Sequence, residues 1–446
     1  MEERKGKFGY WLRNSISARM IVVGFLLVVL LIPLEFVKSL IYERSSRQVE
    51  VVREINNKWG NEVIISGPIL KIPYKTIEKT EHFNSDTKKY ETRTETITNI
   101  AYIFPDDLNV EADVNTLERN RAIYKSVVFT ADMNVSGTFP KIDLSEKDIP
   151  LSDILWEKAT VVIQTTNIKG IRSNMEVQLN DSALALNPKF TKDYLNTIQS
   201  QVIPEFETKA KQAMPFSFTI KVNGSERLQF IPIGKESKVS MTSNWHSPSF
   251  NGNFLPIEDS KTITKEGFNA DWEVYQINRQ FEQVFYNTLP NLTHFAFGAD
   301  LIIPVDEYQK SERTAKYGFL VIGLTFLVFL MIQIGSKIYI HPFQYVLIGL
   351  ALVLFYTLLI SISEHSSFLK AYLISASAVM LLITVYSKIV FKEMKFPILI
   401  AFSLSSLYGF IYVIIQLENY ALLVGSVGLF VILAIIMFAS RKLDWK

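Results

Sequence analysis

Two short stretches of this 446-residue chain hold the side chains best suited to chemistry or recognition. The first runs from Ser243 to Pro256 and sets Trp245, His246, Phe250 and Phe254 among Ser, Asn, Pro and Gly. As an exposed loop it makes a candidate partner-binding surface, because Trp and Phe anchor contacts efficiently. As a hydrogen-bonded turn, the same residues would seal the end of a β-sandwich. The second is the pair Glu364-His365, which with Arg313 forms a candidate polar cluster at the outer mouth of a helical block. An acid beside an imidazole suits a proton or metal site. The plainer alternative is a polar loop that caps a helix and meets water.

Metal and nucleophile chemistry find little further support. The five histidines are His82, His246, His294, His341 and His365. His341 and His365 bracket one apolar span, and about 24 residues of helix put them roughly 36 Å apart, too far to share an ion. Cysteine is absent, which removes disulfides, thiolate metal sites and cysteine nucleophiles together. No HExxH, P-loop, GxSxG or GxGxxG pattern occurs, so neither a catalytic residue nor a cofactor or metal site is expected. Asn134, Asn223 and Asn291 begin Asn-x-Ser/Thr triplets, which arise readily by chance in a chain rich in these residues.

The elements that must position these residues follow from hydropathy. Met20–Val37 is one long apolar stretch, and Tyr317–Ser440 contains five more: Tyr317–Gly335, Phe343–Ser363, Phe368–Tyr386, Phe396–Gln416 and Tyr420–Ser440. Helices of this length cross a hydrocarbon core of roughly 30 Å. Pro342 and Pro397 fall at helix starts, where a missing N–H costs little. The basic Arg4, Lys5, Lys7, Arg13 and Arg19, with no small-x-small cleavage site after Phe36, make the first span an uncleaved signal anchor. Lys337, Lys388, Lys392, Lys395, Arg441 and Lys442 fall on the side of that N-terminus, while Glu364 and Glu418 fall on the other. The positive-inside rule then puts both termini in the cytoplasm and the large domain outside it. The expected division is a cytoplasmic 1–19, a signal-anchor helix 20–40, a periplasmic domain 41–316, a five-helix block 317–440 and a cytoplasmic tail 441–446. No Asp, Glu, Lys or Arg sits at the centre of the five C-terminal spans, which favours an anchor over an ion-coupled pump. Gly318 with Gly323, Gly425 with Gly428, and Ser375 to Ala378 offer small faces for close helix packing.

Between the spans, short runs alternate apolar and polar residues: Thr94–Phe104, Ser126–Val135, Ala159–Thr165, Phe216–Val222, Lys238–Thr242 and Phe295–Ile303. Pro105-Asp106, Ser136-Gly137, Asn180-Asp181, Asn223-Gly224 and Asn251-Gly252 read as the turns between strands. The expectation is an antiparallel β-sandwich-like domain, or two sandwich lobes in series. Leu195–Lys211, split at Pro204, and Trp272–Leu289 read as helical interruptions. Lys and Glu alternate freely over Lys75–Lys89 and no basic face with interleaved aromatics forms, so nucleic acid is not an expected partner. The fold class is therefore a membrane protein of α+β type.

Several local sequences carry a resemblance to a known family. They are Ser66 to Pro73 (SGPILKIP), Ser243 to Phe250 (SNWHSPSF) with Gly252 to Pro256 (GNFLP), Thr314 to Tyr317 (TAKY), His341 to Tyr345 (HPFQY), Ser363 to His365 (SEH) and Asp444-Trp445. In this order they resemble the CreD family of bacterial inner-membrane proteins, which is linked to cell envelope integrity. The resemblance covers nearly the whole chain. It implies an inner-membrane location, a periplasmic β-rich domain and a connection to envelope stress, controlled in some bacteria by a two-component system. It implies no reaction and no catalytic residues. The segment Glu78–Arg93 is more polar than the family pattern and reads as a longer, mobile hairpin.

Two functional readings follow. One is a non-catalytic binding or scaffold domain held at the membrane, in contact with membrane lipids and with an envelope protein, lipid or glycan partner. The other is a small-molecule or lipid transporter or flippase that uses the C-terminal helices, with Arg313, Glu364 and His365 at its outer vestibule. A membrane-bound hydrolase would need a nucleophile–base pair that no Ser or His motif supplies.

Overall fold

The computed structural model describes residues 15–441 apart from 85–88, 145–146, 192–193, 304–306, 337, 392 and 418–419; the side chains of 80–91 and 93 also lie outside it. Of the expectations above, those on Arg4, Lys5, Lys7, Arg13, His82, Lys337, Lys392, Glu418, Lys442 and Asp444-Trp445 fall outside the described residues. The chain divides into a helical unit, Met1–Glu50 with Val305–Lys446, and a sheet unit, Val51–Pro304.

Among the described residues, six helices are long and apolar enough to cross a membrane. The first, α1 (Ile16–Trp59), runs unbroken through Pro33. Its 44 residues measure about 66 Å, so the polar stretch after Ile41 extends well past a hydrocarbon core of roughly 30 Å. The C-terminal spans lie at Gly318–Ser336, Pro342–Ser363, Phe368–Val390, Lys395–Gln416 and Ala421–Ser440, within a few residues of the hydropathy reading. In the helical unit α1 buries Leu30, Leu34, Val37 and Ile41, a three-and-four spacing that forms one seam. That seam meets glycines: Leu34 lies against Gly318, Leu27 against Gly323 and Leu30 against Gly349. Small residues thus admit the leucines of α1, as membrane packing without a hydrophobic drive requires. At the last helix Gly428 lies against Phe410 in the same way. The HPFQY sequence is a helix-start device. His341 Nδ1 accepts from Phe343 N (3.2 Å), Gln344 Oε1 accepts from His341 N (2.9 Å), and Pro342 opens the helix. Tyr345 Oη then donates to buried Gln333 Oε1 at 2.8 Å.

Among its described residues the sheet unit contains sixteen strands around one hydrophobic core. In chain order they are β1 (Val63–Asn84), β2 (Lys89–Ile103), β3 (Asp107–Arg121), β4 (Tyr124–Phe139), β5 (Thr160–Thr165), β6 (Glu176–Leu179), β7 (Ser182–Lys189), β8 (Asn196–Ser200), β9 (Met214–Ser225), β10 (Arg227–Phe230), β11 (Glu236–Ser243), β12 (Ser249–Gly252), β13 (Thr262–Ile263), β14 (Phe268–Tyr275), β15 (Val284–Tyr286) and β16 (Phe297–Asp300). Two ladders are joined by β7, which pairs β6 through Ser182–Ala185 and β8 through Leu186–Lys189. Such a strand turns the corner of a sandwich. β3, β9, β11 and β14 alternate buried and exposed positions, the period-2 signature of a half-buried strand. β5 is buried at all six positions, as a strand covered on both faces must be.

All six expected strand segments lie within strands or overlap them, but three features differ. The sheet is mixed, because β1 pairs β10 and β3 pairs β11 in parallel. Neither expected long helix forms. Leu195–Lys211 holds β8 and one short helix, Phe206–Lys209, while Trp272–Leu289 holds the end of β14, a 3-10 turn and β15. In β14 Ala270, Trp272 and Val274 are buried, a period-2 set that packing against the core settles over helix propensity. Finally, Ser136-Gly137 and Asn223-Gly224 lie inside β4 and β9. Gly137 pairs directly with Phe216, and Gly224 with Phe129. Each glycine leaves room for the ring opposite, which covers its bare backbone.

Candidate functional site: a small cleft where a strand changes partners

The Ser243–Pro256 segment is largely structural. Trp245 is buried (5 % exposed), and its indole Nε1 donates to Ser247 O at 3.0 Å. Phe250 stands edge-on to Phe268 and Trp272, with centroids 5.4 and 5.6 Å away, and Phe254 edge-on to Phe297 at 5.8 Å. Both rings are partly buried against the core; only His246 of the four is exposed, beside the Trp245 ring. Asn251 lies in β12 rather than in a turn. It donates to Asp300 Oδ2 and accepts from Gln229 Nε2. Asp300 also takes a bidentate pair from Arg227, whose Nε lies 2.6 Å from Oδ1. The Asp300 carboxylate raises the Arg227 pKa above its ordinary value. This buried-edge network ties β12, β16 and β10 together, as a charge-assisted fork does.

The second candidate cluster is split. Glu364 caps the end of Pro342–Ser363, accepts from Tyr308 Oη (3.2 Å) and pairs with Arg44 Nε (3.7 Å). Nearby Glu307 Oε2 accepts from Phe368 N (3.0 Å), at the start of the next helix. Arg313 and His365 are exposed. Among the described residues no hydrogen bond or ion pair joins either of them to Glu364, and no group of three or more His, Asp or Glu has metal-binding geometry.

A different site appears in the sheet unit. Along β1, β5 keeps one edge from Ile65 to Lys71. The other edge is shared: β10 covers Val63–Ile65, and β2 takes over from Leu70 onward. Between them the register of β1 shifts from Ser66 to Ile69, and the two partners diverge. Pro68, which has no N–H to leave unpaired, suits this open edge. Gly67 (φ +138°) suits it too, because a Cβ there would lie 3.0 Å from Ile163 Cα on β5. The divergence leaves a small cleft of about 20 Å³, room for about one water, lined by Ser66, Gln164, Tyr194, Asn291 and aliphatic side chains including Ile231 and Leu292. Among the described residues no lining side chain is charged.

The far wall is Leu289–Leu292. Earlier in the chain, Arg279 is 4 % exposed. Its guanidinium donates to Ile233 O, Gly234 O, Phe281 O and Gln283 Oε1 and lies over the Phe281 ring, 4.0 Å from its centroid. Burial pushes its pKa down to about 10, still charged at neutral pH. Gln283 passes the restraint on by donating to Pro105 O (3.1 Å). At Asn291, Oδ1 accepts from Thr293 N and Oγ1 (3.1 and 2.7 Å), which fixes the amide and leaves Nδ2 as a donor. On the near side, lining Tyr194 is 80 % exposed. The sequence reading missed this site. Its signal was the Gly-Pro pair of SGPILKIP inside a strand pattern, a mark of interrupted pairing.

The fold and site define a polytopic membrane protein with six candidate spans among the described residues and a large mixed-sheet unit that carries a small cleft. A family model described as "Inner membrane protein CreD" matches residues 15–446. The chain belongs to the CreD family of inner membrane proteins. It is 29 % identical over 420 residues to the inner membrane protein CreD of Escherichia coli (strain K12), covering 94 % of this chain and 91 % of that one.

Proposed function

We propose that this chain is a non-catalytic binding protein of the bacterial envelope, held in the inner membrane, which supports envelope integrity. The observation that carries this reading is the cleft itself. Among the described residues its lining combines hydrogen-bonding groups, an apolar floor and the exposed Tyr194 ring, with no charged side chain and no nucleophile–base pair. Such a lining favours holding a ligand over transforming it. Basic residues flank the N-terminus and alternate connections of the helical block, which supports cytoplasmic termini and a periplasmic sheet unit. The engagement of Glu364 by Arg44 and Tyr308 favours a knitted anchor over a transport vestibule.

The cysteine-free chain permits a clean topology test. A cysteine replacing exposed Ile277 should react with a membrane-impermeant maleimide in intact spheroplasts, and one replacing Met394 should react only after lysis. The reverse pattern would refute the orientation. Function is read in cells lacking the native copy. The double variant Tyr194→Ala/Asn291→Asp, expressed at wild-type level, should fail to restore resistance to detergent leakage; full restoration would overturn the binding role.

A further inference from the structure

The interior of the helical unit carries hydroxyl groups that its own packing leaves unpaired. Gly318–Ser336, Pro342–Ser363, Phe368–Val390 and Lys395–Gln416 pack as a closed ring, each against the next and the last against the first. Each supplies one buried hydroxyl with no hydrogen-bond partner in the protein: Thr325, Tyr356, Ser375 and Tyr408. None of the four residues is more than 4 % exposed. Thr325, Tyr356 and Ser375 stand seven residues from the helix ends at Gly318, Ser363 and Phe368, and Tyr408 stands eight from Gln416. Short connections make successive spans antiparallel, so these four ends lie on the side of Glu364 and the hydroxyls share one level, about 10–12 Å inside it. The Phe355 ring joins that level, with its centroid 4.8 Å from the Tyr356 ring and 4.6 Å from the Tyr408 ring.

Elsewhere the same helices satisfy their hydroxyls. Ser363 donates to Ile360 O (3.0 Å), Ser387 to Ile383 O (2.6 Å), Tyr345 to Gln333 Oε1 (2.8 Å) and Tyr372 to Tyr408 O (2.7 Å). In hydrocarbon an unpartnered hydroxyl costs free energy that Phe, Val or Ala in its place would not. Four at one level therefore mark a place that takes in a hydrogen-bonding ligand. No Asp, Glu, Lys or Arg stands near this level in the four spans, which disfavours an ion. Water is the smallest ligand that both donates and accepts. Toward the opposite ends the bundle is sealed by Phe326, Phe329, Tyr345 and Phe391, none more than 2 % exposed. On the Glu364 side lies the short helix Glu307–Lys316, packed against Pro342–Ser363 and Lys395–Gln416. Tyr308 Oη ties it to Glu364 and Glu307 Oε2 to Phe368 N, and its buried Ser311 Oγ is also unpartnered.

We infer that this hydroxyl layer is a water-binding site inside the helical unit, closed in this conformation and filled from the Glu364 side when the helix Glu307–Lys316 lifts. Thr325, Tyr356, Ser375 and Tyr408 hold the water, and the aromatic block beyond them stops it from crossing. The site is separate from the cleft, so it stands or falls independently of the binding role proposed above.

The test uses full-length protein in lipid nanodiscs, exposed to millisecond X-ray pulses that turn nearby water into hydroxyl radicals. Mass spectrometry then reads modification at each aromatic residue. Tyr356 and Tyr408 should be modified several-fold faster than Tyr345, which is equally buried but paired with Gln333. Tyr308→Phe removes one bond that holds the short helix down and should raise both rates by about fivefold, with Tyr345 unchanged. The double variant Thr325→Val/Ser375→Ala removes hydroxyls without touching the rings being read, and should lower both rates several-fold. Modification of Tyr356 and Tyr408 no faster than that of Tyr345 would overturn the water site. Rates that the double variant leaves unchanged would overturn the role of the hydroxyl layer, and rates indifferent to Tyr308→Phe would overturn entry under the short helix.

Discussion

Arg279 shows how a buried cation can be held by carbonyl and amide oxygens. Four acceptors converge on its guanidinium and no carboxylate does, so geometry rather than ion pairing holds the charge. Arg279→Lys should therefore fail as a replacement, since an ammonium cannot reach a planar set of carbonyls or stack on Phe281. Arg279→Ala should cost about 3 kcal/mol by stranding buried carbonyls; thermal unfolding of the purified protein measures both. A contrast between aromatics gives a second test. Trp245→Ala removes a core side chain and should cost about 3–5 kcal/mol. Tyr194→Ala, at an exposed position, should stay within about 0.5 kcal/mol of wild type. If Trp245→Ala were thermally silent, its assignment to the core would be wrong. Residue type alone could not separate these two rings. Both stand among polar turn formers, and only the pairing of β12 with β16 turns Phe250 and Phe254 inward.

At the scale of elements, the spans were legible because lipid demands long unbroken apolar runs, and nothing else in the chain imitates them. Strands with clean alternation were legible for a similar reason. The rest depended on distant partners. Gly137 and Gly224 look like turn residues until Phe216 and Phe129 are placed across the ladder. β8 looks helical until β5 and β7 claim its backbone on both edges. The strand fork lies beyond local pattern altogether, because β10 follows β1 by more than 160 residues of sequence. The docking of α1 is open to test at this scale. Gly349→Leu places a side chain where Leu30 and the Phe326 ring already lie, and should destabilise the helical unit by about 1–3 kcal/mol. Gly409→Leu, at a position with open space, should not. Thermal unfolding in detergent, compared between the two variants, checks the difference.

For the whole molecule, helices and sheet divide into two units. The helical unit holds its charged groups near helix ends, where Glu364 and Glu307 bind α1 and successive spans to one another. The sheet unit holds the cleft, together with Asn56, whose Oδ1 accepts from buried Ser126 Oγ (2.7 Å), and Trp59, whose indole donates to Phe129 O (3.1 Å). α1 thus contributes residues to both units. The central claim is that a cleft in the sheet unit, rather than the Trp245 segment or the helical unit, meets the envelope partner. The most direct measurement places a benzophenone amino acid at Tyr194, and in separate strains at His246 and His365, and irradiates living cells under envelope stress. The account predicts a discrete adduct from position 194, lost when Asn291→Asp is added, and none from the other two. Adducts from 246 or 365 with none from 194 would contradict it.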